Sequence, residues 1–151
     1  MASRRDPRLD FEYVTKWKTS LKTLLETLEG RNMFRKFLKW EYSEETLNFY
    51  LAVKDLKMEK DGELIKKMCV IIYDRYIREG CDEEITIGYG TRKQIEKDME
   101  APNKSMFDKA QDEQFVFMAA NSLPRFVKSD LYVEFLNDYQ LQYNVAHCGL
   151  D

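Results

Sequence analysis

The residue types able to do covalent or metal chemistry are few in this chain and poorly spaced for it. One histidine, His147, stands beside Cys148, and the other cysteines, Cys69 and Cys81, are distant in sequence. A closed zinc site takes four ligands, so this pair supplies half of one and no metal is expected. A single histidine also argues against a Glu-x-x-His di-iron pattern and against a hydrolase triad. Residues 88–93, GYGTRK, lack the four-residue gap and Lys-Ser/Thr ending of a phosphate-binding loop; they read as a turn and a helix cap. Cys148 is fourth from the end, but Gly149 and a terminal Asp151 make a poor prenylation tail. With no nucleophile, base and orienting group together, an autonomous enzyme has little behind it, and no cofactor is expected.

What remains is chemistry of contact. Ser43 offers a hydroxyl to free backbone N–H groups, and Glu44 and Glu45 put negative charge where a helix N-terminus favours it. Taken alone, that is a well-capped helix. Arg125 is the opposite case: the helix dipole disfavours a cation in the first turn, so an acidic partner is expected, inside the chain or on another molecule. Trp40, next to the turn that Ser43 belongs to, reads by its helical spacing as core, with an exposed anchor for a partner as the alternative.

The elements that must position these residues are helices. Trp17, Leu21, Leu24, Leu25 and Leu28 are spaced at threes and fours before Gly30, which reads as a C-terminal stop, and Phe34, Phe37 and Leu38 continue into a second, short helix. A helix runs from Ser43 to about Met58. The next, after Asp61 and Gly62, carries Ile65, Cys69, Ile72 and Tyr76 on one face and ends near Gly80. Thr91 and Gln94 have capping-box spacing for a shorter helix that must stop before Pro102. Ser105 starts another, with Phe107, Ala110, Phe115 and Met118, and Pro124 suits the first turn of a last helix through Phe126, Leu131, Phe135 and Leu136. EITI at 84–87 is read as loop. Short connections make neighbouring helices antiparallel, so the turns at 42–46, 80–91 and 121–125 fall at one end of a bundle.

The totals bound the rest. A chain of 151 residues fits one domain able to bury roughly 70% of its unfolded surface. The 27 acidic and 24 basic side chains are mixed along it at net −3, so no nucleic acid is expected. An odd number of cysteines and a start, MASRRDPRLD, without an apolar segment fit a reducing cytoplasm, where the Asn103-Lys104-Ser105 glycosylation triplet has no consequence. The longest apolar run, FVFMAA at 115–120, is far short of the about 20 residues that span a bilayer. Residues 1–10 read as a flexible basic tail and 146–151 as a C-terminal one. Arg4, Arg5 and Arg8 offer only about 1 kcal/mol each near anionic lipid, so membrane contact is at most peripheral, at the inner face of the plasma membrane.

Five segments in order carry a specific resemblance: KWKTSLKTLL, FRKFLKWEYSEETLNFY, EITIGYGTR, MFDKAQDEQFVFM and SLPRFVKSDLY. They resemble the regulator of G-protein signalling (RGS) domain over roughly Lys16 to Leu136. The resemblance implies an all-α, RGS-like fold over 11–145: an antiparallel four-helix bundle plus a second lobe formed by the N- and C-terminal helices. It also implies a monomer that binds the switch regions of a heterotrimeric G-protein α subunit, in its GTP or transition-state form, and accelerates GTP hydrolysis. An adaptor of the same fold without that acceleration is the alternative. Carried over by position, Tyr42, Ser43, Glu45 and Thr46 match the first contact turn; Thr86, Gly88 and Tyr89 the second; Phe117, Asn121, Ser122 and Arg125 the third. Thr46 and Thr86 stand where the family commonly has asparagine, and Gly88 and Asn121 where it often has aspartate.

Overall fold

The computed structural model describes residues 6–148, the side chain of His147 excepted, so Arg4, Arg5 and residues 149–151 of the two tails lie outside it. Along the chain the helices are α1 (Phe11–Lys16), α2 (Leu21–Leu25), α3 (Leu28–Trp40), α4 (Glu45–Met58), α5 (Gly62–Ile72), α6 (Tyr89–Asp98), α7 (Asp108–Phe117), α8 (Leu123–Phe126) and α9 (Asp130–Cys148). Single π-helical turns at Tyr73–Ile77 and Met118–Ser122 extend α5 and α7. The fold is all-α, with no strand among the described residues. The chain divides into two compact units: one is formed by the terminal helices, up to Tyr42 and from Met118, and the other is Ser43–Phe117.

In the unit of terminal helices, side-chain caps cut what periodicity reads as one helix into three. Ser20 and Thr27 both have extended backbone, and their hydroxyls accept from Thr23 N and Gly30 N. Gly30 therefore lies in the first turn of α3 and is not the stop that its type signals. It is buried, and a Cβ there would stand 2.0 Å from the Leu24 carbonyl oxygen, an approach only glycine permits. Leu28, at 58% exposed, leaves the core stripe for the same reason. The ring of Trp17 stacks on Phe135 at 5.7 Å, and Phe126 meets Phe34 edge-on at 5.4 Å and Tyr132 at 5.3 Å. The Tyr132 hydroxyl donates to the Val14 carbonyl at 2.7 Å, tying α9 to α1. Phe34 and Phe126, both fully buried, each contribute about 1.5–3 kcal/mol.

The last helix also differs from its reading. Pro124 does sit in a first turn, but of the four-residue α8; Ser129 then bonds the Phe126 carbonyl through its hydroxyl, and α9 restarts at Asp130. That helix runs on to Cys148, inside the stretch 146–151 read as a tail.

In the unit 43–117, the core is built from Phe49, Val53 and Leu56 of α4, Cys69 and Ile72 of α5, Tyr76, Ile77, Ile85, Ile95 of α6, Met106, Phe107 and Ala110. The stripe read on α5 is in place: Cys69, Ile72 and Tyr76 are buried and Ile65 packs against them. Helix α4 packs on both α5 and α7. Three starts move. Helix α4 begins at Glu45 behind Glu44, whose backbone is already helical, so the cap position falls after Ser43. Helix α6 begins at Tyr89 with Gly88 as cap, which puts Thr91 inside the first turn. Helix α7 begins at Asp108, after a turn in which Asp108 N bonds the Ser105 carbonyl.

Candidate functional site

The stretch 84–88 is neither helix nor strand, in line with the loop reading, and its position is set by a few anchors. Ile85 is 2% exposed and its N–H donates to the Tyr76 carbonyl at 2.9 Å. The Arg92 guanidinium, on α6, donates to the Ile77 carbonyl. Ile85 is the inward anchor, and Thr86 beside it is exposed to solvent. Beyond it, the Thr86 carbonyl accepts from Gln114 Nε2 at 2.7 Å, and Glu113 accepts from Gly88 N at 3.2 Å and from the Thr91 hydroxyl at 2.6 Å.

This turn meets the start of α4. Ser43, Glu45 and Thr46 from one side, Thr86, Ile87 and Gly88 from another, and Glu113, Gln114 and Phe117 of α7 line a single cleft of about 550 Å³. The Thr46 side chain is turned inward, at 7% exposed, and its hydroxyl donates to the Ser43 carbonyl at 3.0 Å. Phe117 and Ile87 supply apolar wall, while Glu45 and Glu113 supply carboxylates. A cleft of that make-up suits a small side chain flanked by hydrogen-bond donors or a cation.

The remaining candidates belong to the terminal-helix unit or to the rim. Tyr42 is 94% exposed and is the one described non-glycine residue in the left-handed region, at φ 57°. Such a conformation costs a side-chain-bearing residue roughly 1–2 kcal/mol and tends to cluster where residues meet ligands. Beside it, Glu41 takes both Nε and Nη2 of Arg125 at 2.9 Å each, so the acidic partner called for by Arg125 lies within the chain. That fork holds the Arg125 guanidinium above its usual pKa and orients it. Asn121 is exposed and Ser122 is buried at 1%. Tyr89, in the first turn of α6, is 78% exposed under Lys93 Nζ at 5.3 Å and stands outside the cleft lining. Trp40 is 58% exposed with Lys36 Nζ 5.6 Å from its ring, so the core reading of it does not hold.

The family described as "Regulator of G protein signaling domain" matches residues 20–135. The chain belongs to that family. It is 38% identical over 125 residues to "Regulator of G-protein signaling 21" of Homo sapiens, which covers 83% of this chain and 82% of that protein. It is also 38% identical to "Regulator of G-protein signaling 1" of Xenopus laevis over 119 residues and of Homo sapiens over 127. Those matches cover 79% and 84% of this chain, but the chain spans only 59% and 60% of those two proteins.

For an RGS chain with this cleft, sequence reasoning overlooked Glu41, Glu113 and Gln114. Gln114 carried a signal, since it follows Ala110 by four residues on the buried face of α7, where an amide must find a partner. Among the described residues no group of three or more His, Cys, Asp or Glu could hold a metal, and no helix is long and apolar enough to cross a membrane.

Proposed function

We propose that this chain binds the switch regions of a heterotrimeric G-protein α subunit and accelerates its GTP hydrolysis, shortening the signal. The observation that carries the reading is the cleft in which Ser43, Glu45 and Thr46 meet Thr86 and Gly88, two family contact turns far apart in sequence. An α subunit carries its own arginine and a glutamine that orients water, so a partner helps by holding them still and contributes no reacting group. In this account Glu45 and Thr86 act from the cleft, and Asn121 and Arg125 from the terminal-helix unit, with affinity highest for the transition-state form. Tyr42, Tyr89 and Phe117 supply exposed aromatic contact area. The chain acts as a monomer in the cytoplasm, at most peripherally at the inner face of the plasma membrane.

A second reading, an adaptor of the same fold without acceleration, is favoured by the exposed Trp40 and by the internally bonded Thr46 hydroxyl. Single-turnover GTP hydrolysis by a panel of α subunits, with and without the protein, separates the two. The first reading predicts faster hydrolysis for at least one α class. Unchanged rates across the panel leave the adaptor.

A further inference from the structure

The turn that presents Thr86 and Gly88 is gripped from behind by two consecutive residues of α7. Gly88 caps α6 and has no side chain to satisfy the donors at that helix start. Glu113 takes one of them from outside the helix: one carboxylate oxygen accepts from Gly88 N–H at 3.2 Å, and the other accepts from the Thr91 side-chain hydroxyl at 2.6 Å. Negative charge at a helix N-terminus is favoured by the dipole as well as by the hydrogen bonds. A Cβ at position 88 would stand 3.3 Å from Glu113 Oε1, so glycine there leaves room for the carboxylate. Gln114 is 3% exposed, and its Nε2 donates to the Thr86 carbonyl at 2.7 Å, the partner that a buried amide requires. The anchors on Ile85 N–H and the Ile77 carbonyl lie before the turn; within 86–88 the Gly88 carbonyl accepts from Arg92 N–H of α6 at 3.0 Å, and the bonds that reach the turn from α7 are those of Glu113 and Gln114.

We propose that Glu113 and Gln114 are positioning residues for the α-subunit surface, holding the turn 86–88 in its binding shape before any partner arrives. The role rests on the function proposed above. Its consequence is that little order has to be gained in that turn on association, so loss of the grip appears as weaker engagement more than as a slower saturated rate.

The test compares the wild-type protein with Glu113→Ala, Glu113→Gln and Gln114→Leu. In Glu113→Gln the side-chain oxygen still accepts from Gly88 N–H while the amide donates to the Thr91 hydroxyl, which keeps most of the geometry. Two quantities are read: amide hydrogen exchange in the free protein, and the protein concentration giving half-maximal acceleration of single-turnover GTP hydrolysis by a responsive α subunit. Glu113→Ala is expected to speed exchange at 86–91 by about tenfold with α4 and α5 unchanged, and to raise the half-maximal concentration by about tenfold. Glu113→Gln is expected within about threefold of wild type on both. Should Glu113→Ala fail to fold, Gln114→Leu, of similar volume, carries the same comparison. Unchanged exchange at 86–91 overturns the grip; faster exchange with an unchanged half-maximal concentration overturns its role in binding. A wild-type protein that accelerates no α subunit overturns the functional reading and this role with it, and is told apart because the exchange result then stands by itself.

Discussion

At the scale of single residues, the proposed function depends on what a threonine presents at the cleft in place of the asparagine that the family resemblance implies at position 86. An asparagine amide reaches further and offers two donors and an acceptor, whereas a threonine offers one hydroxyl and a methyl close to the backbone. Thr86 is exposed at the cleft with its own carbonyl already held by Gln114, so substitution changes the side chain presented without releasing the turn. Thr86→Asn should therefore raise the stimulated GTP hydrolysis rate, by up to about a hundredfold if a full hydrogen bond to a polarised partner is regained, on the order of 1–3 kcal/mol. Single-turnover assays on the same α subunit read this directly; an equal or lower rate counts against the explanation. Thr46 is a different case, because its hydroxyl is committed to the Ser43 carbonyl and its side chain is buried.

At the scale of helices, α1 and α9 are joined by the Tyr132 hydroxyl on the Val14 carbonyl, and burial pushes that phenol up to about 12. A raised acid pKa means that the folded state keeps a proton which the unfolded chain gives up from about pH 10. Stability is therefore independent of this group below pH 10 and falls by about 2–3 kcal/mol as the pH climbs to about 12, because ionisation of the buried phenol disfavours the folded state. Tyr132→Phe should cost about 1 kcal/mol near neutrality and should flatten the decline between pH 10 and 12, as chemical denaturation of the two proteins at several pH values will show. Equal slopes for the two would contradict the assignment.

The same helices show what the chain made legible. The stripe Ile65, Cys69, Ile72, Tyr76 was readable because burial on one face leaves a period in the sequence. Gly30 and Ser43 misled because a glycine or serine suits either a cap or an interior position. At Gly30 the decision came from a close approach to the Leu24 carbonyl that no local pattern encodes. The candidate contact turns were legible through the five family segments. Glu113 was not, since its partners Gly88 and Thr91 lie 25 and 22 residues away and nothing between them announces the bond.

At the scale of the whole molecule, the cleft belongs to the unit 43–117, and Tyr42, Asn121, Ser122 and Arg125 belong to the terminal-helix unit. In the proposed function the chain contributes no reacting group and speeds hydrolysis by binding the transition state better than the ground state. The direct measurement is affinity for one α subunit loaded with GDP and aluminium fluoride, which mimics the transferring phosphoryl group, against the same subunit loaded with GDP alone. The account predicts tighter binding to the fluoride form by at least about a hundredfold, in the range by which transition-state mimics exceed ground-state ligands. Equal affinity for the two forms, across the main α classes, would contradict it.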